Sequence, residues 1–524
     1  MTSHQKKGEG PAVPAEIPPK PGRVWLLGAG PGDPDLITWR GVQLLGEAEV
    51  VMHDALSHPD LLELCPQAEI VDVGKLYGRR ATPQFEINAL LLRYAKQGKN
   101  VVRLKGGDPL MFARGSEEAL ALAEAKITFE IVPGVTSPVA ASAFAGISLT
   151  HRDASSSVTF ITGSDKKGKE WSDEAWKKLA TATGTICVFM GMRRIAAITR
   201  AIVEGGRRPQ TPAAVVQWGA RPEQRTVVGT LETIADEVEK AGLSNPAIII
   251  VGEVVALRDK LRWYDNRPLF GRGVLVPRPV HQARETARAL RHRGAVPIMC
   301  PAIEILGPPD PAQLQEAVQT AKDYDWVVFT SANGVTAFFS VVRALGLDAR
   351  VFGLSRVAAI GPKTSQALER FGIHADLVAR EFVAERLVED LLRVTKEGAR
   401  ILIPRASEAR EILPEALRRA NLEVRVVAAY QTFHVKGEAA KLLQRQIKED
   451  AEIVLFSSSS MVDAVVQALG SEASETLGQR TLACIGPVTA ATLRNYGLEP
   501  SVEASVYTME GLLDALENMF VSAA

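Results

Sequence analysis

The sequence predicts an α/β protein of more than one domain, and three observations carry that prediction. Apolar runs short enough for strands alternate with amphipathic stretches over most of the chain. Several of the runs end in glycine-bearing turns, and the C-terminal half repeats itself. At 524 residues the chain exceeds a single ordinary core, so two to four domains are expected.

Composition narrows the partners. Lys plus Arg and Asp plus Glu both number 61, so no global field draws nucleic acid or an anionic membrane. Any anionic substrate must be met by local clusters. Cys65, Cys187, Cys300 and Cys484 show no C-x-x-C spacing, which argues against a metal centre and against a disulfide framework. Residues 1–22, rich in Pro, Lys and Glu, read as a disordered tail without a secretory apolar core. The most apolar window, Ala247 to Leu257, is too short for a membrane span and reads as a core strand. These features predict a cytoplasmic protein.

Strand-like runs then follow in order. RVWLLGAGPGDPDLIT (Arg23–Thr38) delivers a buried strand into Gly28-Ala29-Gly30. A dinucleotide fingerprint needs a third glycine where Asp33 stands, and Pro31 and Pro34 remove amide donors. The loop is therefore glycine-rich but badly built for phosphate. VVRLK leads into Gly106-Gly107-Asp108-Pro109, and TFEIV into Pro133-Gly134-Val135-Thr136-Ser137. Glycine at the carboxyl end of a strand lets a ligand approach the main chain. SVTFITG, TICVFMG and AIIIVGEV continue the α/β pattern, and periodicity is lost over Arg262–Gly273. Beyond it, GVLVPRPV matches RILIPRAS, DWVVFTSANGV matches AEIVLFSSSSM, and RVAAIGPKT matches RTLACIGPVT. The offset is nearly constant at about 125 to 127 residues. Two like halves normally enclose a cleft.

The motifs LLGAGPGDPDLIT, VVMHDAL, VGK, VVRLKGGDPLMFARGSEE, VPGVTS, ISLTHRD and PAIIIVGEVVALRDKL span most of Arg23–Trp263. Together they resemble the uroporphyrinogen-III C-methyltransferases of the tetrapyrrole methylase family. The resemblance implies a two-lobed α/β domain over 23–264, a homodimer through that domain, and S-adenosylmethionine bound between lobes. Pro31, Gly106, Gly107, Asp108, Met111, Thr136, Ser137, Met190, Gly219 and Ala247 would line the cofactor pocket. Asp54 matches the proposed proton acceptor and Lys75 the proposed donor; Arg114, Glu117 and Arg152 would hold the tetrapyrrole. Two positions depart from the family pattern. Lys75 is followed by Leu76 rather than Arg, with Arg79 and Arg80 further on, and Ser164 replaces a histidine.

RPLFGRGVLVPRP, FTSANGV, AIGPKT, LIPRA, AAYQT, LFSSSS and IGPVTAATL resemble the uroporphyrinogen-III synthases. The loss of periodicity places a linker at 265–273, and the repeat predicts a duplicated α/β domain over 274–524. Its lobes would comprise about 274–303 plus 435–524, and about 304–434. The implied reaction closes hydroxymethylbilane to uroporphyrinogen III without a cofactor. Tyr430 matches the tyrosine proposed to help the hydroxyl leave. Arg278 and Arg405 are equivalent in the repeat and suited to carboxylates. Ser331, Asn333, Thr364, Ser457, Ser458 and Thr489 sit in turns facing the expected cleft, although helix capping is the ordinary use of such hydroxyls.

The expected protein is thus bifunctional: one half makes uroporphyrinogen III, the other methylates it to precorrin-2. A second reading keeps the methyltransferase and makes the C-terminal half a tetrapyrrole-binding module without catalysis. Precorrin-2 leads to sirohaem, cobalamin or haem d1, and nothing in the motifs selects among them.

Overall fold

The computed structural model describes residues 21–74, 82–163, 172–380, 384–409 and 411–522. Nearly all of the expected tail, together with Lys75, Arg79, Arg80 and Ser164, lies outside the described residues. The chain forms two compact units, one running to Arg272 and including Arg291–Val296, the other comprising Gly273–Leu290 and Pro297 onward.

The first unit holds two five-stranded sheets. In the first sheet β1 (Val24–Gly28), β2 (Val50–His53), β3 (Glu69–Asp72), β4 (Val101–Lys105) and β5 (Phe129–Val132) run in the order β3-β2-β4-β1-β5. Every pair is parallel. Parallel pairing requires crossovers, and helices on both faces bury the strands completely, as in VWLLG of β1 and VVRLK of β4. It also brings the carboxyl ends of β1, β4 and β5 to one edge, side by side.

The second sheet comprises β6 (Val158–Thr162), β7 (Thr185–Phe189), β8 (Pro212–Gln217), β9 (Arg225–Thr230) and β10 (Ala247–Val251), ordered β6-β7-β10-β8-β9. Only β6–β7 is parallel. The apolar window expected to form one strand is split. Only Ala247–Val251 is extended, Gly252 turns at φ 151°, and Glu253–Leu257 winds into a 3-10 helix. Residues 265–273, expected as a linker, begin as packed structure. Tyr264 meets Phe270 edge-on at 5.3 Å, and Asp265 pairs with the buried Arg258.

The second unit contains β11 (Gly273–Val276), β12 (Val296–Met299), β13 (Ile303–Leu306), β14 (Trp326–Phe329), β15 (Arg356–Ala359), β16 (Leu377–Val378), β17 (Arg400–Ala406), β18 (Glu423–His434), β19 (Ile453–Phe456), β20 (Thr481–Cys484) and β21 (Val502–Glu503). They form the sheets β12-β11-β19-β20-β21 and β13-β18-β17-β14-β15-β16. The repeat is visible in these orders, since β11-β19-β20-β21 corresponds to β17-β14-β15-β16. The first strand of each repeat, however, joins the sheet built from the other repeat. The chain crosses between lobes at 300–302 and 435–436, where the two ribbons bond to each other: Val435 N donates to Ala302 O at 3.0 Å, and β13 pairs antiparallel with the end of β18.

All four cysteines are buried and free. Burial pushes the Cys187 thiol up to about 12 and the Cys484 thiol up to about 11. Since the thiolate is the reactive form, the native protein is expected to leave all four unmodified by an aromatic disulfide reagent at pH 8. Titration in denaturant should then reveal all four. Among the described residues no helix is long and apolar enough to cross a membrane.

Candidate active sites

The three glycine corners of the first unit touch one another through main chain. A Cβ on Gly28 would lie 2.6 Å from Gly134 Cα and 2.7 Å from Gly107 O. One on Gly134 would lie 2.3 Å from Gly107 O. Gly30 and Gly107, both in the left-handed region, exchange hydrogen bonds of 3.2 and 2.9 Å. Asp108 braces the assembly: Oδ1 accepts from Leu110 N and Met111 N, and Oδ2 accepts from Gly134 N at 3.1 Å. Asp33, the acid of the first loop, turns to cap the Pro34–Leu36 turn by accepting from Asp35 N at 2.9 Å.

Above these corners opens a cleft of about 550 Å³, within the usual size range of small-ligand sites. Pro31, Gly106, Gly107 and Ser137 line it from the first lobe, Met190, Gly219 and Ala247 from the second. Asp108, Met111 and Thr136 do not line it. Motif reading missed Phe189, Trp218 and the guanidinium groups of Arg193, Arg194 and Arg221. Met190 and Trp218 sit at φ 52° and 51°, which costs side chains of this size energy and collects at ligand sites. The glycines of the walls are packed against their neighbours: a Cβ at Gly219 would lie 2.6 Å from Ala141 Cβ, and one at Gly106 would lie 2.9 Å from Leu56 Cβ.

Asp54, just beyond β2, is the outer member of a buried ion cluster. Its Oδ1 accepts from Arg103 Nη2 at 2.5 Å, and its Oδ2 lies 4.0 Å from Lys105 Nζ. Glu118 Oε1 accepts from Arg103 Nε, Lys105 Nζ and Gln84 Nε2, each at 3.1 Å. Arg103, Lys105 and Glu118 are at most 2% exposed, whereas the Asp54 side chain is 31% exposed and open to a substrate. Burial opposes the Arg103 charge, but Asp54 and Glu118 outweigh it and hold its pKa up. Burial and neighbouring Arg103 push Lys105 down. Arg114 and Glu117 face outward and pair with each other at 2.5 and 2.8 Å, and Arg152 is exposed. The buried acid is thus Glu118, one residue past the one singled out from sequence, because a single helical step turns the side chain by about 100°, here from solvent to the interior.

In the second unit Tyr430 is 8% exposed, and its hydroxyl lies 3.0 Å from Ser331 Oγ. Burial pushes the phenol up, against hydrogen bonds from Ser331 and Asn333. Ser331 also caps the helix Ala332–Ala344, accepting from Gly334 N at 3.0 Å. Asn333 Oδ1 accepts from Gln282 of the other lobe at 2.9 Å, and Gln282 Oε1 accepts from Arg278 at 3.1 Å. Ser458 caps the helix Ser459–Leu469, and Ser457 donates to Met461 Sδ. Thr364 and Thr489 are buried in the first turns of their helices. Arg405 is buried and spends its guanidinium on Glu411, unlike its repeat equivalent Arg278. Lys363, lowered by burial and by Arg278, is a further cation of this region that motif reading passed over.

A main-chain-walled ligand cleft joined to a duplicated two-lobed clasp defines a two-part α/β enzyme. Residues 23–235 match the tetrapyrrole (corrin/porphyrin) methylases, and residues 284–514 match uroporphyrinogen-III synthase HemD. The chain is 36% identical over 496 residues to porphyrin biosynthesis protein HemD of Ruminiclostridium josui, covering 94% of this chain and 97% of that one. It is 44% identical over 246 residues to a uroporphyrinogen-III C-methyltransferase of Bacillus subtilis, covering 47% of this chain and 95% of that one. Among solved structures, uroporphyrin-III C-methyl transferase from Thermus thermophilus, complexed with S-adenyl homocysteine, is 40% identical over 45% of this chain and all of that one, with a TM-score of 0.40. The chain belongs to the tetrapyrrole methylase family through its first unit and to the uroporphyrinogen-III synthase family through its second. It is a bifunctional tetrapyrrole enzyme with a C-methyltransferase part and a synthase part.

Proposed function

We propose that the second unit closes hydroxymethylbilane to uroporphyrinogen III, with loss of water and inversion of the last ring. The first unit then transfers two methyl groups from S-adenosylmethionine to give precorrin-2. The observation that supports this most is the meeting of three glycine corners beneath a cleft beside Asp54. Bound there, S-adenosylmethionine would supply an electrophilic methyl on sulfur. Pro31, Gly106, Gly107, Ser137, Met190, Gly219 and Ala247 would hold it.

Methylating a pyrrole carbon leaves a cationic ring that must lose a proton, and Asp54 is the carboxylate within reach of solvent. Arg103 fixes its orientation, and Arg114 and Arg152 would meet the substrate's carboxylates. Lys75 is proposed as the proton donor on the resemblance alone. A homodimer through the first unit, in the cytoplasm, completes this reading.

In the synthase step the hydroxyl leaves as water, so one proton is donated and bulk water is kept out. Tyr430 is the proposed donor. Arg278 and Arg405 are proposed carboxylate sites, and Ser331, Asn333, Thr364, Ser457, Ser458 and Thr489 proposed substrate contacts. Tyr430→Phe is expected to slow uroporphyrinogen III formation about 10²-fold while methylation of supplied uroporphyrinogen III is unchanged. Because burial raises the phenol, its proton is retained beyond the ordinary tyrosine value of about 10, and the alkaline limb of the synthase profile should fall above that pH.

Incubating the full chain with hydroxymethylbilane and S-adenosylmethionine tests the whole scheme. A dimethylated product is expected by mass. Formation of isomer I alone, at the spontaneous rate, would instead make the second unit a binding module.

A further inference from the structure

We propose that Gln282 is a positioning residue of the cyclisation, tying Arg278 on one lobe of the second unit to the Asn333–Tyr430 corner on the other. The proposal rests on the reading of Tyr430 as proton donor. Gln282 lies on the helix Val280–His292, directly after β11. Its Oε1 accepts from Arg278 Nη2 at 3.1 Å, and its Nε2 donates to Asn333 Oδ1 at 2.9 Å. Asn333 lies behind β14, in the first turn of the helix that Ser331 caps. From there Ser331 reaches the Tyr430 hydroxyl at 3.0 Å, and Asn333 is a second partner of that phenol. A file of polar side chains therefore runs from a half-buried guanidinium to a buried phenol. It passes from lobe to lobe at one amide pair.

That placement gives the amide pair work beyond packing. It can form only when the lobes are together, so it makes the hydrogen bonding of the phenol depend on closure. The far end of the file is prepared for an anion. Arg278 Nε is buried with no partner, and Arg278, Lys363 of the other lobe and Glu285 act on one another, two positive charges against one negative. A carboxylate of the linear tetrapyrrole beside these two cations would balance the positive charge that Glu285 leaves and favour closure. Gln282 would then hold Asn333, and through it the hydroxyl of Tyr430, in the orientation for donating a proton.

The test uses the full chain. Gln282→Met keeps the length of the side chain and removes both hydrogen bonds. It is expected to lower kcat for uroporphyrinogen III formation about tenfold, with a smaller change in KM for hydroxymethylbilane. Gln282→Glu can bridge only if the Asn333 amide turns to donate its Nδ2, which takes that donor from the phenol, so this variant should also lose rate, though less than Gln282→Met. Adding Asn333→Asp to Gln282→Glu sets carboxylate against carboxylate. This double variant should fall at least as far as Gln282→Met, and below the combined effect of the two single changes. The unfolding transition of the second unit, followed by calorimetry on the full chain, reports its folding throughout, and methylation of supplied uroporphyrinogen III reports the first unit. A parental kcat in Gln282→Met, or simple additivity in the double variant, overturns the role of Gln282. Tyr430→Phe run in parallel separates the readings. A parental rate there removes Tyr430 as donor, whereas a slow Tyr430→Phe beside a fast Gln282→Met removes only Gln282.

Discussion

Glu118→Ala is expected to destabilise the first unit by about 3–5 kcal/mol and to abolish methyl transfer while leaving the synthase step intact. One oxygen of this carboxylate accepts from Arg103, Lys105 and Gln84, and the residue is fully buried. Without it two interior cations share the single charge of Asp54. The truncation adds a cavity against the helix Gly115–Glu124. Calorimetric unfolding of the full chain provides the measurement, with the transition of the second unit as internal standard. Lys105→Met in the same background should recover part of the loss, because the count of buried charges again matches. An unfolding transition moved by less than about 0.5 kcal/mol would show that the cluster is not held as described.

Gly134→Ala is expected to weaken binding of S-adenosylmethionine, or of its demethylated product, by about 10- to 100-fold. The new Cβ would stand 2.3 Å from Gly107 O and 2.9 Å from Gly28 Cα. Both neighbours are main chain, so neither can swing aside as a flexible side chain would. Overpacking of this kind costs about 1–3 kcal/mol, and relief requires the corners under the cleft to part. Gly46→Ala is the control: it lies in the helix Trp39–Glu47 with nothing within 4 Å of its Cβ position. That change should be neutral, or stabilising by up to about 1 kcal/mol. Calorimetric titration of the two variants separates the outcomes, and equal donor affinity in both would end the claim that the corners form the floor of the site.

The residues themselves disclosed a good deal. Strand-then-glycine signatures located all three corners, and the near-constant offset exposed the duplicated half. Resemblance put Asp54 and Tyr430 among the reacting groups, a reading that still awaits the assays above. Less legible was the cluster behind Asp54. The spacing in VVRLK puts Arg103 and Lys105 on one face, but such a face ordinarily meets solvent, and only the structure shows β4 buried on both sides. Two adjacent glutamates likewise read alike until the helix is docked. The divergence of Arg278 and Arg405 was invisible for a similar reason. Equivalent positions in a repeat receive different neighbours, here Gln282 in one case and Glu411 in the other.

Sequence alone determined the local chemistry: which strands end in bare main chain and which half is a duplication. Tertiary structure alone decided adjacency. The order β3-β2-β4-β1-β5 sets the ends of β4, β1 and β5 side by side, and the exchange of first strands between repeats sets Gln282 opposite Asn333. The physical reason is that glycine content and hydrophobic period are properties of a few neighbouring residues. Strand order, by contrast, is settled by burying whole faces contributed by segments far apart in the chain.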